Sequence, residues 1–68
     1  MSRYDYERSR DLAAHDLPFA SLIMAAYRKA DTSNSRKLEQ AFPQICTELH
    51  DRYHAPGGVL DTDPEHTR

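Results

Sequence analysis

Between Pro18 and Tyr27 the chain reads Pro-Phe-Ala-Ser-Leu-Ile-Met-Ala-Ala-Tyr, with Ser21 its only strongly polar side chain. Wound into a helix, this stretch is apolar around most of its circumference and has to be covered on more than one side. The chain has 68 residues, and a chain of about 60 hides only about 60% of the surface its unfolded form exposes. The composition therefore points to association, with part of the cover coming from another chain.

Chains of this size are commonly held together by disulfides, metals or oligomerisation. Cys46 is the only cysteine, which excludes a disulfide within one chain and fits a reducing compartment. A net charge of −2 argues against a general electrostatic binder of nucleic acid. No apolar run approaches the roughly 20 residues of a membrane span. Met1 to Asp11 is polar and mixed in charge, so no secretion signal is expected there. The expectation is a cytoplasmic protein. Internal repeats, strand-like alternation and a glycine-rich phosphate loop are all missing from the sequence, and no cofactor is expected.

Arg3, Arg8 and Arg10 balance Asp5, Glu7 and Asp11 around Tyr4 and Tyr6. No sustained helical stripe emerges, so residues 1–11 are expected to be a flexible arm, with a short helical turn at Leu12 to His15. The first helix is expected over about 17–30, with Asp16 as N-cap and Pro18 in the first turn, where its missing amide has no helical partner. At about 100° per residue, Phe19, Leu22, Ile23, Ala26, Tyr27 and Ala30 gather on one broad face. Ala20 and Met24 fall outside it. Asp31 to Ser35 is a run of turn formers that stops this helix.

Leu38, Phe42, Ile45, Leu49 and Tyr53 then recur at helical spacing. Pro43 falls inside that stripe, where it would cost about 3 kcal/mol in a continuous helix but almost nothing in a first turn. A break is favoured, giving helices over about 34–42 and 43–54. Ala55-Pro56-Gly57-Gly58 ends the helical domain of residues 12–58, and 59–68 is expected to be an acidic disordered tail. The predicted fold is all-α, a small helical hairpin of two to three helices with flexible ends.

Cys46, His50 and His54 are spaced by four and climb one side of a helix. Neighbours at that spacing lie about 6 Å apart and can share a metal ion. The outer pair is about 12 Å apart on a straight helix, so further ligands would have to come from unanchored candidates such as Asp51, Asp61 or His66. The simpler reading is that these residues flank the apolar stripe, and no metal site is expected. A catalytic Cys–His pair would need a cleft and an oxyanion-stabilising group, which two helices do not offer, so the chain is not expected to be an enzyme.

Arg28, Lys29, Arg36 and Lys37 cluster around the first interhelical turn. With the N-terminus of the next helix, they form the one place where a phosphate backbone could dock. The simpler reading is a solvated helix end. A face carrying Gln44, Thr47, Glu48 and Asp51 is neutral to acidic and is a poor reader of DNA bases.

Ala30-Asp31-Thr32-Ser33-Asn34, Leu38, Ala41-Phe42-Pro43, Glu48-Leu49, Arg52-Tyr53 and Ala55-Pro56-Gly57-Gly58 form a pattern that resembles small bacterial and phage-encoded helical proteins with no assigned activity. The likeness spans about residues 17 to 58. It implies an accessory protein of a mobile element, acting by binding a macromolecule, and carries over no catalytic residues. The leading expectation is a non-enzymatic binding module that self-associates, most simply as a homodimer, or docks on another protein through Phe19, Ala20, Ile23, Met24 and Tyr27. The alternative is a nucleic-acid-associated regulator using Arg28, Lys29, Arg36 and Lys37.

Overall fold

A computed structural model describes residues 2–63. Four α-helices follow one another: α1 (Arg3–Ala14), α2 (Phe19–Lys29), α3 (Thr32–Ala41) and α4 (Pro43–Tyr53). A single 3-10 turn at Pro56–Gly58 closes the series, and the described residues contain no strand. The all-α class is as expected, but the count of two to three helices rises to four.

The additional helix is α1, lying where the sequence pointed to an arm. Its start is a capping box: the Ser2 hydroxyl accepts from the Asp5 amide at 3.1 Å, and the Asp5 carboxylate accepts from the Ser2 amide at 3.3 Å. Arg3 pairs with Glu7 at 3.7 Å, Arg8 pairs with Asp11 at 2.7 Å, and the Arg8 guanidinium lies over the Tyr4 ring. All of these contacts are local and need no apolar stripe, which is why periodicity did not reveal the helix.

Asp16 is not the N-cap of the next helix. It follows the C-cap of α1 in the left-handed region, at φ 53°, with its amide bonded to the Ala13 carbonyl. That position is usually taken by glycine or asparagine, and the short side chain of aspartate tolerates it. Pro18 is the residue that caps α2, in an extended conformation and without a side-chain bond.

Helices α2, α3 and α4 pack against one another, whereas α1 packs against none of them. The α2–α3 connection is only Ala30 and Asp31, because Asp31 caps α3 by accepting from the Asn34 amide at 2.8 Å. Between α3 and α4 the chain breaks at Phe42 (φ −133°, ψ 62°), with Pro43 opening α4 where its missing amide is harmless.

The core is small. Cys46 at 4% and Leu49 at 7% exposure are the only buried side chains among the described residues, and neither is sealed off completely. Leu38, Phe42 and Ile45 are half-buried. Tyr53, the last member of the expected stripe, is 72% exposed. Standing at the final turn of α4, it borders an open cleft of about 230 Å³ beside Tyr27, Arg28 and Leu49. The stripe keeps its phase there, but the open cleft leaves its end in contact with solvent.

Residues 59–63 of the expected tail run back along α4. Arg52 donates to Asp63 through both Nη1 and Nη2 at 2.8 Å, to the Gly58 carbonyl at 2.8 Å, and through Nε to Glu48 at 2.9 Å. These carboxylates hold the guanidinium charged, pushing its pKa above the ordinary arginine value. Gly57 and Gly58, at φ 64° and 70°, make the reversal that brings residues 59–63 back onto α4. Residues 64–68 of the expected tail lie outside the described residues. The Leu60 amide donates to Asp63 Oδ2 at 3.1 Å, so Asp63→Ala is expected to speed hydrogen exchange at Leu60 by about ten-fold or more while leaving Leu49 unchanged. Amide exchange followed by NMR checks this.

Candidate functional site

Helix α2 carries the expected partner-binding residues, and burial divides them. Ala20, Ile23, Met24 and Tyr27, at i, i+3, i+4 and i+7, are all half-buried. They form the face turned toward α3 and α4, so Ala20 and Met24 lie on the packed side rather than outside it. Phe19 is 61% exposed and touches Phe42 edge-on, with ring centroids 5.5 Å apart. Leu22 is half-buried and Ala26 exposed. Phe19, Leu22 and Ala26, at i, i+3 and i+7, form a second apolar stripe on the outer side. No residue of α2 is fully buried. Leu12 and Leu17 are exposed as well.

Beneath the packed face lies a shallow cleft of about 470 Å³ whose lining includes Tyr27, Glu39, Cys46 and His50. The Tyr27 hydroxyl donates to the Glu39 carboxylate, tying α2 to α3. That bond, with burial and the carboxylate charge, pushes the Tyr27 phenol up to about 12. Burial, then the Glu39 charge, pushes the Cys46 thiol up as well. A raised thiol is a poor nucleophile at neutral pH.

The Tyr27–Glu39 link has a signed pH dependence. It is fully present below the ordinary phenol value of 10.0 and is lost as pH rises from there through about 12. Glu39→Gln is expected to bring the phenol back toward 10.0, and spectrophotometric titration at the phenolate band reads the shift.

The other expected sites are plainly located. Arg28, Lys29, Arg36 and Lys37 are all exposed and form no ion pair with a described residue. The α3 N-terminus beside them is occupied by the Asp31 carboxylate, a negative group where a phosphate would have to approach. His50 and His54 are exposed, with ring centroids 5.4 Å apart, while Cys46 is buried beneath them. Among the described residues no three His, Cys, Asp or Glu side chains are placed to hold a metal ion. His66 lies outside the described residues.

Sequence reasoning missed three features that bear on the site. The capping box of α1 was legible as Ser2-x-x-Asp5. The outer stripe of α2 is hidden because nearly every side chain of this helix is apolar, so spacing alone groups Phe19, Leu22 and Ala26 with Ile23 and Tyr27. The Arg52–Asp63 clamp has no local spacing signal, since eleven residues separate its partners. Set against known proteins, the chain matches no family model, no curated protein and no solved structure.

Proposed function

We propose that this chain acts by binding another protein through the outer stripe of α2, Phe19, Leu22 and Ala26, and carries out no chemistry of its own. The observation that carries the reading is that the most apolar helix of the chain has no fully buried residue and presents Phe19 at 61% exposure. Such a surface is a liability in water unless something covers it. At about 25 cal/mol per Å², covering roughly 400 Å² is worth on the order of 10 kcal/mol before the costs of association. The resemblance to small bacterial and phage-encoded proteins supports an accessory role of this kind.

The test is a photoreactive benzoylphenylalanine in place of Phe19, activated in cells expressing the chain. A discrete cross-linked protein that disappears when Leu22 and Ala26 are both made glutamate supports the reading. Only diffuse labelling, or a product indifferent to those changes, overturns it.

A second reading, a nucleic-acid-associated regulator, has the exposed Arg28, Lys29, Arg36 and Lys37 in its favour and the capped α3 N-terminus against it. It expects duplex affinity to fall steeply with salt and to vanish in Arg36→Glu/Lys37→Glu. An electrophoretic shift at low salt decides this point.

A further inference from the structure

We infer that the stripe on α2 is covered by α1 of a second copy of this chain, two chains exchanging these helices reciprocally. This rests on the protein-binding reading above and names its partner.

Helix α1 is the first reason. Twelve residues long, it touches no other helix of its own chain. Isolated helices below about 12–15 residues are marginal in water, so α1 needs a surface to lie on. In its own chain the left-handed Asp16 and the extended Pro18 have already carried α1 away from α2.

The amount of surface is the second. The chain exposes 5953 Å², against about 4,400 Å² for a compact monomer of its 7.8 kDa mass. Its radius of gyration is 14.3 Å, against about 11 Å for a compact chain of this length. A stable interface needs about 800 Å² from each partner. The surplus is large enough to supply it.

Shape then sets the register. Tyr6, Ser9 and Ala13 share one face of α1 at i, i+3 and i+7. Laid antiparallel on the partner, Ala13 meets the large Phe19 and Tyr6 meets the small Ala26. Ser9 can be covered without leaving a donor stranded, because its hydroxyl donates to the Tyr6 carbonyl at 2.6 Å. The two helices match in length, at twelve and eleven residues. A parallel arrangement would set Tyr6 against Phe19 and Ala13 against Ala26, large on large and small on small. A two-fold axis satisfies both exchanges at once, as in a swapped dimer.

The decisive variant is Tyr6→Cys/Ala26→Cys with Cys46→Ala, oxidised gently and run without reductant. A covalent dimer joined by two bridges is expected, alongside a doubled mass for the wild-type chain in sedimentation at about 100 μM. The single-site Glu7→Pro variant, which breaks α1, is expected to sediment as a monomer at the same concentration. An intrachain bridge, no bridge at all, or a wild-type monomer at that concentration overturns the inference. A monomer that still gives a cross-linked foreign protein from position 19 leaves the broader binding reading standing. A monomer with no cross-link removes both.

Discussion

Leu49→Ala is expected to abolish cooperative unfolding of the α2–α4 body at room temperature. Leu49 is 7% exposed and one of the two buried side chains among the described residues. Truncating a buried leucine costs about 2–5 kcal/mol, more where the surroundings cannot collapse into the void. A body of about forty residues has only roughly 2–6 kcal/mol of net stability, so the change removes most or all of it. Tyr53→Ala is the control: at 72% exposure on the same helix, it is expected to stay within about 0.5 kcal/mol of wild type. Urea titration followed by circular dichroism reads both. A sharp wild-type-like transition in Leu49→Ala would mean that the core lies elsewhere, in an interface this single chain does not contain.

That contrast between two leucine-stripe positions shows what the sequence could and could not convey. Helical class, the break at Pro43 and the membership of Leu38, Phe42, Ile45 and Leu49 in one stripe all follow from spacing and from the chemistry of proline. Coverage does not. Whether Tyr53 is buried depends on where α2 ends across the bundle, and no local pattern carries that information. The same limit explains α2 itself, where nearly every side chain is apolar. Periodicity there cannot distinguish the face holding Ala20 and Met24 from the face holding Phe19 and Ala26, because both read as hydrophobic. In α1 the failure is of the opposite kind: no stripe exists, and the helix is specified by a capping box and charge pairs.

The thiol of Cys46 offers a measure of how firmly this small core holds. It is 4% exposed, and burial together with the Glu39 charge keeps it protonated above the ordinary value of 9.0. Since only the thiolate attacks a disulfide reagent, reaction in the folded chain has to wait for opening of α4 away from α2. A rate about 100-fold or more below that of the denatured chain is expected at pH 8, read from the absorbance of released thionitrobenzoate. The sign with pH is fixed as well. As pH climbs above 9.0, opened chains ionise first, so the folded state loses stability and protection falls. In Leu49→Ala the rate is expected to approach the denatured value, since about 3 kcal/mol of lost stability corresponds to roughly 100-fold more open chain. Exchange of α1 between two copies adds a further signature: covering α2 stabilises the closed state, so the Cys46 rate should fall as protein concentration rises. In Glu7→Pro, where α1 cannot form, that concentration dependence should vanish while the dilute-limit rate stays put. A Cys46 that reacts as fast in the folded chain as in denaturant would place α4 against nothing, and the packed body with it.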